Sequence, residues 1–263
     1  MNYASRSNHT DASNRPFQAA LVADWDDVAF VHFAIPPELL RPLVPFELDL
    51  FVGQAFVSLV AFTQRRLRPR LGGRIAAALS APLASHEFLN VRTYVRHRGE
   101  PGIHFLCEWI PNRLATWLGP PLYGLPYRLG RLVYRYDRCS GECFHDVSSG
   151  GSRLEFDVFP VRDDPPGPAP RGTLDEFLLE RYVAFTRLRG RNACFRVEHV
   201  PWARRQVAVR WRETGLLETL PLPWDRAQPM GGHYSEGVRN VGLGPPVLTE
   251  AAVVPLHHSS LHS

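Results

Sequence analysis

The strongest constraint on the fold of this chain is a succession of short runs with strand character, each ended by a Pro/Gly reversal. The pattern is clearest between Phe88 and Asp137. Phe88–Arg98 and Ile103–Ile110 are rich in β-branched and aromatic residues and flank Gly99-Glu100-Pro101-Gly102. Proline presets φ and glycine accepts the left-handed region, so the segment predicts a β-hairpin. A short helical segment follows, then Gly124-Leu125-Pro126-Tyr127-Arg128, then a third strand over Leu132–Tyr136.

The same pattern continues on either side. Ala29–Ile35 is expected to be an early core strand, with His32 as a hydrogen-bonded core histidine. Pro36 and Pro37 open a short helix over Glu38–Leu43, where proline loses no needed hydrogen bond. Leu48–Phe51 and Ala55–Thr63 flank Val52-Gly53-Gln54 as a second hairpin. The second arm is almost continuously apolar, as in a strand covered on both faces. Leu71–Ser85 reads as a loop or short helix. A short strand is expected near Phe144, and Arg153–Val161 alternates, with Leu154, Phe156 and Val158 on one face.

Asp164–Gly172 is a proline-rich surface loop rather than a linker, since strand patterns continue beyond it. Thr173-Leu174-Asp175-Glu176 is a capping box, and Leu174, Phe177, Leu178, Tyr182 and Phe185 recur at helical spacing. Cys194–Val200 and Gln206–Arg212 read as a final pair of strands around Pro201-Trp202. Residues 1–18 are polar and aperiodic and are expected to be a disordered tail. Residues 19–240 are expected to form one domain, and residues 241–263 a flexible C-terminal tail.

Composition excludes several function classes. The net charge is +4 and the pI near 9.1, but the arginines are interleaved with Asp and Glu. The one cluster, Arg65, Arg66, Arg68, Arg70 and Arg74, has no stacking aromatics among it, so nucleic acid is not an expected partner. No apolar run reaches spanning length and the N-terminus lacks a secretion core, so no membrane partner and a cytoplasmic location are expected. Cys139, Cys143 and His145 form C-x₃-C-x-H in a Gly/Ser-rich loop without a second ligand pair, so no metal is expected. No nucleophile elbow, phosphate loop or HExxH occurs, so no cofactor is expected. All 30 basic residues are arginine. Without a lysine, no side chain can supply the neutral amine that a Schiff base requires.

The NVRTYV run (90–95), the Pro-Gly hairpin and Leu125-Pro126-Tyr127 resemble the YqjF-like family of uncharacterised proteins. VAFVHF (28–33), AFVSLVAF (55–62), LLERY (178–182) and His199-Val200-Pro201-Trp202 extend the resemblance from about Asp26 to Arg212. It implies an acetoacetate decarboxylase-like fold: α+β and β-rich, a closed β-barrel with a few peripheral helices around a small-molecule cavity. By analogy it also implies a homo-oligomer. In acetoacetate decarboxylases a Gly-x-Pro turn precedes two adjacent lysines, one forming an imine with the substrate and the other lowering its pKa. Gly124-Leu125-Pro126 is similar to that turn, but Tyr127 and Arg128 follow it. The resemblance therefore implies the fold and pocket without the imine chemistry.

Candidate site residues follow from strand alternation. Asn90, Arg92 and Tyr94 share one face, with Val91, Thr93 and Val95 on the other. If the valines meet an outer helix, the polar face lines the cavity and Arg92 is its anion anchor. If the valines fill the barrel, Arg92 faces water. The apolar cover that the outer layer of the fold needs favours the first. His104 and Glu108 are placed beside this face by hairpin pairing, Glu108 either in the site or in a salt bridge to Arg92. Tyr127 and Arg128 admit two readings. One is a phenol with its pKa lowered by the adjacent charge, suited to carboxylate binding or proton transfer. The other is a barrel-end cap and a surface ion pair. Cys107 is expected to be an inert core thiol. The leading expectation is a binder of a small acidic or carbonyl-bearing metabolite. The alternatives are a cofactor-free lyase or proton-transfer enzyme using Tyr127, Arg128 and Arg92, and a non-enzymatic interaction protein with a vestigial cavity.

Overall fold

The computed structural model describes residues 17–161 and 164–249, so most of the two expected tails lies outside the described residues. In chain order the elements are β1 (Leu21–Ile35), α1 (Pro37–Leu40), β2 (Glu47–Leu48), β3 (Ala55–Pro69), α2 (Gly73–Leu79), β4 (His86–His97) and β5 (Glu100–Ile110). Then come α3 (Arg113–Tyr123), β6 (Tyr127–Leu129), β7 (Arg131–Tyr136), β8 (Cys143–Ser149), β9 (Ser152–Pro160) and α4 (Leu174–Leu179). β10 (Val183–Leu188), β11 (Arg191–Glu198), β12 (Arg204–Glu213), β13 (Gln228–Leu243) and β14 (Val247–Leu248) complete the chain.

One sheet contains all of these strands. β11, β10, β5, β4, β3, β1 and β13 succeed one another, and β11 pairs with β13 through Val197↔Leu243 and Glu198↔Gly242. The sheet thus returns on itself as a ring, the strand-rich architecture that the family resemblance implied. A second arm, β12, β9, β8 and β7, runs on from β13 and folds back until Tyr134 Oη donates to Phe88 O at 2.8 Å.

Strand alternation then makes two cores. Phe30, Val60, Phe62, Phe88, Tyr94 and Ile103 point into the ring. Val31, Leu59, Val91 and Val95 point outward and pack against Val147, Leu154 and Phe156 of the arm. Each such side chain stabilises the fold by roughly 1.5–3 kcal/mol on full burial. Double coverage is why residues 28–35 of β1 and 55–62 of β3 read as almost continuously apolar runs. The valine face of β4 is accordingly covered by sheet, not by the outer helix that was expected.

Other expectations need correction. The hairpin reverses at Arg98 (φ 53°) and Gly99 (φ 82°), the two-residue turn whose twist matches its strands. Pro101 and Gly102 therefore lie inside β5. One half of the capping box forms, Thr173 Oγ1 accepting from Glu176 N, while the Glu176 carboxylate accepts from Gly172 N rather than Thr173 N, and α4 ends at Leu179. Phe185 belongs to β10, whose pairing with β11 overrides the helical spacing. Instead of an arm over Leu48–Phe51, the short strand is Glu47–Leu48, and Phe51 bridges to Gln54 across the turn. β11 and β12 are not a pair; each borders β13. β13 continues past residue 240 to Leu243, and Val247–Leu248 pairs with β11, so the described part of the C-terminal segment includes strand.

Candidate functional site

The face of β4 that carries Asn90 and Arg92 opens onto a cavity of about 200 Å³ inside the ring. Its walls are largely apolar, with Phe30, Phe62, Phe88, Phe195 and Trp202 among them, and α3 closes one side through Ala115, Leu118 and Gly119. The polar groups concentrate on three adjacent strands: Asn90 and Arg92 on β4, Glu108 on β5 and Tyr127 on β6. Asn90 lies opposite Glu108, and Glu108 opposite Tyr127. Such neighbours on one face are ~5 Å apart at Cβ.

Arg92 is 9% exposed. Its Nη2 donates to Leu178 O at 3.0 Å, while Nε has no partner. The guanidinium lies over the Phe30 ring at 5.5 Å, and among the described residues it forms no ion pair. Arg181 also lines the cavity, but its charge is answered by Asp49 at 2.8 Å. A buried cation without a counter-ion carries a desolvation penalty of several kcal/mol that an anionic ligand would offset.

Glu108 is 3% exposed and its Oε2 lacks a partner. Burial pushes its carboxyl well above the usual carboxylate range, which favours the neutral acid, and among the described residues it forms no ion pair with Arg92. Asn90 Oδ1 is also unpartnered. His86 stacks on Phe88 at 4.7 Å, neither ring nitrogen has a partner, and burial lowers its pKa to about 4. These orphaned polar atoms face a site that is otherwise greasy.

Tyr127 does line the cavity, but its phenol is pushed well above its ordinary range by burial, with Glu108 and Tyr123 adding to the effect. This is opposite to the lowering expected from Arg128. Successive strand residues face opposite ways, so Arg128 points outward, exposed, over the Trp109 ring at 5.9 Å. The two form no joint site. His104 is displaced for a related reason. A bulge between Val91 and Arg92 in the β4–β5 register puts Phe105 opposite Arg92 and His104 opposite Thr93, on the far face. There His104 Nδ1 bonds Phe185 O at 2.8 Å. Cys107 is fully buried on that face, and burial pushes its thiol up to about 12. His145 stacks on Phe156 at 4.6 Å in the second core, and no group of three metal-ligating side chains gathers among the described residues.

Tyr94 is not part of the cavity wall. Its hydroxyl donates to Leu178 O at 2.8 Å and meets Ser58 Oγ at 2.6 Å. Ser58 Oγ meets His32 Nδ1 at 2.7 Å, His32 Nε2 meets His233 Nδ1 at 3.0 Å, and His233 Nε2 faces Asp175 Oδ1 at 3.3 Å. Hydrogen assignment follows from the carbonyl end. Tyr94 gives its hydrogen to Leu178, so Ser58 donates to Tyr94 and His32 Nδ1–H donates to Ser58. His32 Nε2 and His233 Nδ1 share one hydrogen; burial lowers the pKa of both imidazoles, and the Asp175 carboxylate opposes that shift at His233. The chain ties α4 to β1, β3, β4 and β13 and fixes the Leu178 carbonyl that holds Arg92. His86, Arg181, Trp202 and this chain were not anticipated as a site. Arg181 and Trp202 did stand within the resemblance motifs LLERY and His199-Val200-Pro201-Trp202, which was the available signal.

A strand ring enclosing such a cavity defines a protein of acetoacetate decarboxylase-like fold. The enduracididine biosynthesis enzyme MppR is similar with HEPES buffer bound (TM-score 0.63, 16% identity, 89% of each chain) and complexed with pyruvate (TM-score 0.61, 15% identity, 94% of this chain and 98% of that one). An acetoacetate decarboxylase-like enzyme from Sphingomonas wittichii RW1 gives a TM-score of 0.62 at 14% identity, over 93% of this chain and 99% of that one. At these identities the likeness is one of fold. Residues 22–239 match the family DUF2071, "Uncharacterized conserved protein (COG2071)", and the chain belongs to that family. The uncharacterized protein YqjF of Bacillus subtilis (strain 168) is 33% identical over 183 residues, covering 68% of this chain and 72% of that protein.

Proposed function

We propose that the protein binds a small molecule with an apolar body and a carboxylate or carbonyl head in the ring cavity, without forming an imine. The observation that carries this reading is Arg92: a buried guanidinium on a largely apolar cavity, with a free Nε edge and no carboxylate partner among the described residues. A carboxylate accepts two parallel bonds from such a group. The neutral carboxyl of Glu108 and the neutral phenol of Tyr127 are hydrogen-bond donors for an adjacent carbonyl oxygen. A 2-oxo acid presents both groups side by side, and MppR, of the same fold, is described in complex with pyruvate. At about 200 Å³ the cavity is below the ~300–1,000 Å³ of drug-sized sites, which favours a small ligand.

A second reading, a cofactor-free proton-transfer enzyme, is favoured by Glu108, whose retained proton suits a general acid. A thermal-shift panel of simple carboxylic acids and 2-oxo acids with increasingly apolar side chains tests the binding reading. Wild type should be stabilised by one series, and Arg92→Met should lose that response. If Arg92→Met responds like wild type throughout, Arg92 is not the anchor and the reading fails. Product analysis on the stabilising compounds separates binder from enzyme.

A further inference from the structure

After Arg113, α3 carries apolar side chains on both its inner and its outer side. Its inner residues Ala115 and Leu118 line the cavity, while Leu114 and Trp117 stand 41% and 73% exposed on its outer side. α2 repeats the pattern. Ile75 and Leu79, four residues apart and so on one face, are 77% and 80% exposed, and Leu71 just before the helix is 82% exposed. The helices are neighbours, joined through the turn Ala81–Leu83, whose Pro82 carbonyl accepts from Asn112 Nδ2 at α3's N-cap. An apolar helix face is normally covered, and nothing among the described residues covers the exposed Ile75, Leu79 and Trp117.

The charge around them is one-sided. Residues 65–86 and 111–136 contain nine arginines and no aspartate or glutamate. Arg65 and Arg66 are paired with Asp26 and Asp24. Arg70, Arg74 and Arg113, the exposed arginines beside the apolar side chains, form no ion pair among the described residues. A two-fold contact of this face with itself would bring like charges together. A leucine, isoleucine and tryptophan cluster collared by arginine instead has the composition of an interfacial membrane anchor, with Trp at headgroup depth.

We propose that the α2–α3 face docks on an anionic lipid surface, placing the outer side of α3 in the bilayer interface one helix width from the cavity. Expecting no membrane partner followed from the lack of a spanning segment, and no helix among the described residues is long and apolar enough to cross. Neither fact concerns surface binding. The apolar cavity behind α3 gives the docking a use, since a ligand with an apolar body partitions into lipid.

The test is co-sedimentation of the full chain, without any cavity ligand, with vesicles of phosphatidylcholine alone and of phosphatidylcholine mixed with phosphatidylglycerol. Binding is expected on the mixed vesicles only, weakening as salt rises. The triple change Arg70→Gln, Arg74→Gln and Arg113→Gln should lower partitioning roughly 100-fold, at about a factor of five per arginine. Ile75→Ser with Trp117→Ser should abolish binding; both side chains are exposed, and circular dichroism with a thermal melt confirms the fold. Absence of binding to the mixed vesicles overturns the proposal. If light scattering also shows a dimer that Trp117→Ser dissociates, the face joins two copies instead. No ligand is present, so either failure leaves the cavity reading standing.

Discussion

Changing Glu108 to Gln isolates the buried acid with little change of shape. Burial raises the carboxyl pKa in the folded state, so that state keeps a proton which the unfolded chain releases near the ordinary Glu value of about 4.3. The sign follows from linkage. Above that pH the folded state binds more protons than the unfolded, so stability falls as pH rises. The slope is about 1.4 kcal/mol per pH unit and persists until the folded carboxyl itself ionises. Glu108→Gln cannot titrate, so its stability relative to wild type should climb as pH rises above the ordinary Glu value, for as long as the folded carboxyl keeps its proton. Urea unfolding of both proteins at each pH, followed by tryptophan fluorescence, yields the difference, and contributions from other groups cancel. A difference independent of pH would refute the argument, because Glu108 would then titrate alike in both states.

Other perturbations have equally definite outcomes. His86, with its pKa lowered by burial to about 4, refuses the proton that an unfolded histidine takes near pH 6.5, so wild type loses stability as pH falls through that window. His86→Phe should move the acid-unfolding midpoint to lower pH. A Cβ at Gly119 would sit 2.2 Å from Tyr127 Cε2, so Gly119→Ala should cost about 1–3 kcal/mol in urea unfolding and displace Tyr127 from the cavity wall. Tyr94→Phe removes a donor from Leu178 O and the acceptor of Ser58, and should destabilise by about 1–3 kcal/mol.

Local chemistry was legible in the sequence where one element sufficed to decide it. Strand alternation put Asn90 and Arg92 on one face, and that face does line the cavity. The same rule separates Tyr127 and Arg128 once they are seen to lie within a strand, β6, which the Pro126 turn and the short length of the run conceal. His104 was lost to a bulge, which no propensity in LCEWI announces. β13 was hidden by its glycines. Gly232 and Gly237 look like breakers, yet a Cβ there would come within 2.4 Å of Phe30 O and 2.0 Å of Trp25 O, so the residues exist to let β13 lie close against β1. The His32–His233 contact joins residues 201 positions apart and depends wholly on that pairing.

Isothermal titration with an apolar 2-oxo acid such as 4-methyl-2-oxopentanoate, into wild type and Arg92→Met, bears most directly on the cavity as an anion site. The account predicts saturable binding to wild type and affinity about 10–100-fold weaker in Arg92→Met, the worth of a charge-assisted hydrogen bond. Equal affinity in the two proteins, or no heat from wild type across the acid series, would contradict it.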